Sequence, residues 1–367
     1  MISPRLLALA RCPDCGRSLT RREHDVSCAG CGRAFAIDGE VLDLRPRASY
    51  SEQTKYLDHA LHTDARHESI APPVLGSRIR NDMLRRFLAP SAGDRIVDLG
   101  CGSGRAIAWN AASGASILGV DISPFFAREA LQGSDLILGD LRKLPLADAA
   151  FNKAWSLDVF EHLSPEALRD VLTEAHRVLE PGGALFMYTH VRRNGWPAMG
   201  VRLVNRFARL CEHVGLLDLH QERLRKSDHL NPIADHEELA RVTRECGFAI
   251  ERITYYSPVI GAFVENVLAR IAERTLVRRA SRQGPSGARA DAGAASRTAR
   301  ARAQARVRSR GVTYRMLVAA SQVMKLDLLL FGRIQSGPFF ALLRKPHAGQ
   351  APRNGANSPA APAGRVP

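Results

Sequence analysis

The 367-residue chain carries 52 Lys and Arg against 37 Asp and Glu, a formal charge of +15, and its length allows one large core with small appendages. A charge of that size suggests nucleic acid until it is located: Val277 to Arg310 holds ten arginines and one aspartate, +9 of the total, so most of the surplus belongs to a loop and not to a fold. No run of about 18 uncharged apolar residues occurs, and Leu6 to Ala10 is too short for the apolar stretch of a signal peptide; a cytoplasmic chain without a spanning helix is expected.

The first element is a pair of knuckles in residues 1–45: Cys12-Pro-Asp-Cys15, twelve residues, then Cys28-Ala-Gly-Cys31. Each C-x-x-C gives two sulfurs from one tight turn, and two such turns close a tetrahedral thiolate site. A small zinc ribbon with a structural Zn2+ is expected, with Cys12, Cys15, Cys28 and Cys31 as ligands. Disulfides are the competing reading, disfavoured in a cytosolic chain. Residues 46–90 are polar, with His59 and His62 on a solvated face, and read as a helical linker or lid ending in a helix at Ser77 to Leu88.

Residues 91–275 read as one α/β domain. Ile96, Val97 and Leu99 form a buried strand, and Gly100, Gly102 and Gly104 let the following backbone turn and pass close to a ligand. A second strand, Ala115 to Val120, runs into Asp121. Strand, glycine turn, helix (Arg105 to Ala112), strand and acid together describe a nucleotide crevice in a doubly wound sheet. Arg105 stands where a dinucleotide fingerprint has its third glycine. Asp98 before the turn would repel a pyrophosphate and attract a ligand carrying an ammonium and a sulfonium.

A helix at Ser123 to Gln132, with Ser123 as its cap, and a strand at Asp135 to Gly139 follow. The strand at Asn152 to Val159 ends at Asp158-Val-Phe-Glu161-His162; three ligand-type residues within five positions could contact one ion, or could line the site without metal. A helix at Ser164 to Glu180, stopped by Pro181-Gly182-Gly183, leads to a strand at Ala184 to Thr189 and then His190. The insertion 191–232 is expected to shape the substrate pocket. It holds an amphipathic helix, Trp196 to Cys211, with Met199, Leu203, Phe207 and Leu210 on one side and Arg202, Arg206 and Arg209 on another. A helix at Asp235 to Cys246 and a strand at Phe248 to Tyr256 come next. Apolar helices at Pro258 to Ala272 and Thr313 to Phe331 flank an Arg-rich loop, 276–311, expected to be disordered. The segment 312–346 ends in a closing strand, Phe339 to Arg344, and 347–367 is a Pro/Ala/Gly tail.

The segments VDLGCGSG, GVDIS, GDLRKLPLADAAF, WSLDVFEHL and HRVLEPGGALFMYTH, in that order, resemble the class I S-adenosylmethionine-dependent methyltransferases, within them the type 11 group. The resemblance implies a doubly wound, Rossmann-like seven-stranded sheet preceded by the ribbon. It implies Asp98 and Gly100 at the methionine part of S-adenosyl-L-methionine, Asp121 at the ribose and Asp140 with Leu141 at the adenine, with Cys101, Gly102, Gly104, Ile122 and Leu157 completing the cofactor site. It also implies that the segment before the first strand folds over the site, where Tyr56 could reach the cofactor. The ribbon and the RAFAIDGEVLDL that follows resemble the small zinc-ribbon protein that partners methyltransferases.

Methyl transfer from a sulfonium is an in-line displacement in which orientation does most of the work; a base is needed when the acceptor carries the proton. His162, His190 and His229, with Glu161, are the candidates. The expected function is methylation of a small-molecule acceptor, lipid-linked or a specialised metabolite, at oxygen or carbon. Two alternatives are an RNA or protein methyltransferase that uses the ribbon and the Arg-rich loop for recognition, and a non-catalytic scaffold. The apolar helices and arginines raise a further expectation, peripheral contact with an anionic membrane at its inner face.

Overall fold

A computed structural model describes residues 2–22, 25–38, 41–47, 70–219, 229–282, 307–308, 310–347 and 349. The expected Tyr56 contact, His59, His62, most of the Arg-rich loop and nearly all of the tail lie outside them. Twelve strands are described: β1 (Leu19–Arg21), β2 (Val26–Cys28), β3 (Ala34–Phe35), β4 (Ile37–Asp38), β5 (Val41–Asp43), β6 (Arg95–Leu99), β7 (Ser116–Asp121), β8 (Asp135–Leu138), β9 (Phe151–Leu157), β10 (Leu179–His190), β11 (Ala249–Tyr255) and β12 (Pro338–Arg344). The helices are α1 (Pro4–Leu9), α2 (Leu75–Leu88), α3 (Arg105–Asn110), α4 (Arg128–Leu131), α5 (Pro165–Val178), α6 (Ala198–His213), α7 (His236–Glu245), α8 (Val259–Phe263), α9 (Ala269–Arg282), α10 (Val312–Met324) and α11 (Leu326–Phe331), with a π-turn at Val264–Leu268 between α8 and α9.

Seven strands form the doubly wound sheet, in the order β11-β12-β10-β9-β6-β7-β8. The pairs among β10, β9, β6, β7 and β8 are parallel, and β12 enters antiparallel between β10 and β11. The central strands are near-continuous apolar runs because helices cover both faces: Ile96 to Leu99 and Ile117 to Asp121 are all buried. Helix α5 starts as the sequence dictates, Ser164 accepting from the Ala167 N–H with Pro165 at the first position. It ends at Val178, ahead of Pro181, because β10 already begins at Leu179.

Three expectations need correction. The helix expected from Ser123 begins only at Arg128, with Ala127 at its cap position; the Ser123 amide and hydroxyl instead both donate to Asp121 (2.9 and 2.8 Å), which holds residue 123 to the end of β7. Helix α9 runs to Arg282, so Arg278, Arg279 and Arg282 are helical and not part of a disordered loop. Helix α6, in the insertion expected to shape the pocket, lines none of the cavity and turns its large apolar residues outward: Met199, Leu203 and Leu210 are each about 60% exposed or more, and it packs through Ala198, Ala208 and Cys211. Close approach explains the inversion, since a side chain at Gly200 would press on Val259 of α8 at 3.0 Å.

The ribbon is fused into this architecture. Strand β5 adds parallel to β8 and β4 adds beyond it, so the sheet continues to nine strands. Arg11 N–H donates to Pro145 O and Ala147 N–H to Leu9 O, both at 2.8 Å. Ile2, Leu6, Leu42 and Leu44 of the N-terminal segment share one buried cluster with Val97, Leu118, Ile137, Leu144 and Leu146 of the large sheet. A segment this short cannot bury a core alone; it borrows the edge of its neighbour's.

Shared burial predicts shared unfolding. Leu44→Ala is expected to cost about 2–5 kcal/mol and to move the whole transition. Urea unfolding followed through Trp109, Trp155 and Trp196, all outside the ribbon, reads this directly. A ribbon that unfolds by itself would leave the tryptophan midpoint where it is.

Candidate active site

A cavity of about 460 Å³ opens at the carboxyl ends of β6, β7, β8 and β9, where ligands bind in open parallel sheets. Asp98, Gly100, Cys101, Gly102, Asp121, Ile122, Asp140, Leu141 and Leu157 all line it. Gly104 does not: it begins α3, and a side chain there would strike Ala130 of α4 at 2.4 Å, so its smallness serves packing. At Gly100 the backbone has φ +80°, and an added Cβ would meet Val159 at 2.5 Å. That position admits only glycine, and it sets the tightness of the turn.

The turn is held by backbone and acid together. Gly100 and Cys101 N–H both donate to Val120 O (2.9 and 3.1 Å). Gly102 N–H donates to Asp121 Oδ2 at 2.7 Å, while Asp121 Oδ1 takes Ser123. Asp121 therefore clamps the glycine turn to the end of β7 and keeps a lone pair on Oδ2 for a ligand. Asp140 caps the turn after β8, accepting from Arg142 N–H at 2.9 Å and pairing with its guanidinium at 3.1 Å.

Asp98 is 2% exposed, and its Oδ2 has no hydrogen-bond partner. Burial, reinforced by the charge of Asp121 and opposed by the neighbouring Trp155 indole, pushes its carboxyl up to about 7. Trp155 Nε1 is itself buried without a partner, so indole and carboxyl interact without closing a bond. A buried carboxylate left in this condition is costly, and a cationic ligand group relieves it. The ammonium of S-adenosylmethionine fits that requirement; a pyrophosphate does not.

Beyond the cavity the structure gathers all four candidate catalytic residues. Glu161 is 1% exposed; its Oε2 accepts from Thr189 Oγ1 at 2.9 Å, and His190 Nδ1 stands 3.6 Å from Oε1. Burial opposes ionisation of Glu161, but the His190 imidazole, helped by His162, holds its carboxyl below the usual range. The His162 ring meets the His229 ring edge-on at 4.7 Å, and His190 lies 5.9 Å from His229. His162 also lines the cofactor cavity, so the cluster adjoins it.

Asp158 leaves this group. It adopts φ +56° and pairs with Arg80 of α2 at 3.1 Å, so the trio Asp158, Glu161 and His162 that is local in sequence does not converge in space. Sequence reasoning missed Arg80, Ser77 and Trp109, which line the cavity; the helix was visible, but its facing side had no chemical pattern to reveal it. The insertion 191–232 does not wall the cavity with α6; its contribution to the cluster is His229.

At the N-terminus the Sγ atoms of Cys12, Cys15, Cys28 and Cys31 lie within 4.8 Å of one another. Cys12 and Cys31 are 3.7 Å apart and Cys15 and Cys28 3.4 Å, so neither pair is bonded. Gly30 and Cys31 N–H point at Cys28 Sγ (3.2 and 3.4 Å). Four thiols with amide donors behind one of them suit a tetrahedral thiophilic ion.

Residues 97–187 match a family profile described as a methyltransferase domain. Methyltransferase GfsG of Streptomyces halstedii is 31% identical over 202 residues, covering 48% of this chain and 72% of that protein. The demethylmenaquinone methyltransferase of Tropheryma whipplei is 30% identical over 170 residues, covering 44% and 70%. The 24-methylenesterol C-methyltransferase 2 of Oryza sativa subsp. japonica is 27% identical over 186 residues, covering 47% and 46%. Sheet order, glycine turn, the buried Asp98 and these relatives agree: the chain belongs to the class I S-adenosylmethionine-dependent methyltransferases.

Proposed function

We propose that the protein methylates a small, largely apolar molecule at oxygen or carbon, with Asp98 as the cofactor's anionic anchor and His190 as the base. The observation that carries the donor half is the partnerless Asp98 Oδ2 at the head of the cavity; S-adenosylmethionine supplies there a methyl group bonded to a positively charged sulfur. Asp98 and the Gly100 turn would hold its methionine part, Asp121 its ribose, and Asp140 with Leu141 its adenine.

On the acceptor side, a hydroxyl or acidic C–H would give its proton to His190 as the new bond to carbon forms and the sulfur leaves as a neutral thioether. Glu161, with Oε1 3.6 Å from His190 Nδ1, would stabilise the imidazolium that results. The acceptors named for the sterol and menaquinone relatives are lipophilic small molecules, which supports this class over RNA. The four ribbon cysteines would hold a structural Zn2+, leaving no position for substrate.

A second reading concerns where the enzyme works. Among the described residues no helix is long and apolar enough to cross a membrane. Trp196, Met199, Leu203, Phe207 and Leu210 are nevertheless 48–69% exposed, interleaved with exposed Arg202, Arg206 and Arg209. The Trp196 ring meets Phe331 of α11 at 5.8 Å, beside Leu329 at 80% and Leu330 at 61% exposure. Such a face suits an anionic bilayer surface on the cytoplasmic side, where lipophilic acceptors collect.

Four outcomes are expected. Asp98 must lose its proton to receive the ammonium, so affinity for S-adenosylmethionine should rise about tenfold per pH unit below 7 and level off above it. Because its folded pKa of about 7 lies above the unfolded value, the ligand-free protein should also lose stability as pH rises from about 4 to 7. Asp98→Asn should abolish both trends; calorimetry across pH 5.5–8.5 measures the first and thermal unfolding the second. His190→Ala should lower kcat roughly 10²-fold with the cofactor Kd unchanged, once an acceptor is found among lipid and metabolite extracts; an equal loss of cofactor affinity would reject its role as base. Flotation with phosphatidylglycerol vesicles should be lost in the Leu203→Glu, Phe207→Glu double variant, and flotation that persists would reject α6 as the docking face.

A further inference from the structure

Glu161, His162 and His229 each place one ligand-type atom within 4.8 Å of the others. Nitrogen and oxygen donors about 2.0–2.2 Å from a common ion stand roughly 3–4.3 Å apart, so small side-chain shifts close the set. The convergence is built in by the backbone. Leu230 and Asn231 N–H both donate to Glu161 O (2.8 and 2.9 Å), so the loop carrying His229 is hung on the residue that supplies the carboxylate. Asn231 takes φ +46° to make that turn.

Behind the carboxylate, Thr189 Oγ1 fixes Oε2, the kind of outer hydrogen bond that orients a metal ligand. Thr189 occupies one of the four lone-pair directions of the Glu161 carboxylate, and His190 Nδ1 stands 3.6 Å from Oε1, which leaves the carboxylate able to bind. His162 is the one member that also lines the cofactor cavity, so open positions on an ion held here would face the space beside the transferring methyl group.

We infer that Glu161, His162 and His229 form a divalent transition-metal site that takes an oxygen of the methyl acceptor. Two imidazoles and one carboxylate suit Mn2+, Fe2+, Co2+ or Zn2+ and leave positions open, whereas Mg2+ and Ca2+ prefer oxygen throughout. A hydroxyl bound to such an ion loses its proton near neutral pH, to His190 beside it. The acceptor atom is then oxygen and not carbon, and an acceptor with two adjacent oxygens gains a second bond. This inference rests on the methyltransferase reading for its chemistry but not for its binding test.

The test uses the full chain with its ribbon loaded with zinc, titrated with MnCl2 while free Mn2+ is followed by electron paramagnetic resonance; Mn2+ competes poorly for four thiolates. One Mn2+ per chain is expected, bound at least tenfold more weakly by His229→Ala and by Glu161→Gln. Retained zinc and retained calorimetric binding of S-adenosylmethionine in His229→Ala show that this loop variant is folded. No Mn2+ uptake, or uptake that neither substitution weakens, would overturn the site. Intact Mn2+ binding in a protein that fails to bind S-adenosylmethionine would support the site and reject the donor assignment instead.

Discussion

The structure turns on a carboxyl group kept where water does not reach it. Asp98 lies at the end of the central strand β6, among residues that are otherwise apolar and fully buried, with Asp121 close enough to raise its proton affinity further. An unpaired charge there is unfavourable in the empty protein, and the fold tolerates it because β6 is locked between β7 and β9 on both sides. The same rigidity fixes the glycine turn, where Val120 O and Asp121 between them hold three successive amides, those of Gly100, Cys101 and Gly102. Ligand preference follows from this electrostatics: a cation at Asp98 and hydroxyls at Asp121 are welcome, and a second anion is not.

Strand β8 carries the second constraint. Its far side would be a bare sheet edge, open to association with other strands, and the N-terminal segment covers it with β5 and β4. The strand leads through Gly139 directly into Asp140 and Leu141, which line the cavity. The loop that follows is bridged to the ribbon at Ala10 and Leu146, so the ribbon buttresses one wall of the cavity. Knuckles, sheet edge and the loop at Asp140 share one packed core.

Much of this was legible because it is local. A buried run, three glycines and an acid fix a turn within ten residues, and two C-x-x-C turns fix their own geometry, so the cavity-lining residues of the glycine turn and the clustering of the four cysteines could be read before any fold was known. Reading failed where tertiary contacts decide. Ser123 has the chemistry of a helix cap, but its bonds to Asp121 tie it to the strand end, and the helix starts at Arg128. The apolar stripe of α6 has helical spacing, yet burial goes to the small side, where Gly200 lets α8 approach. His229 is a candidate by residue type, but its meeting with Glu161 across 67 intervening residues is one that no spacing rule predicts, while Asp158, only three residues away, is drawn off by Arg80 from a helix before the first strand of the large sheet.

In the proposed reading, donor and acceptor chemistry fall to different parts of the chain. The carboxyl ends of β6, β7 and β8 hold the groups suited to the donor. The ends of β9 and β10, joined by the loop at His229, hold Glu161, His162 and His190. Arg80 spans the boundary, pairing with Asp158 and lying over the Tyr188 ring at 5.5 Å, which ties α2 to the start of the acceptor half. Since displacement at a methyl group depends chiefly on alignment, the two halves need only keep their relative placement, and here both rest on adjacent parallel strands of one sheet. The acceptor half can then change its ligating or basic groups through one loop and two strand ends while Asp98 and the glycine turn stay as they are.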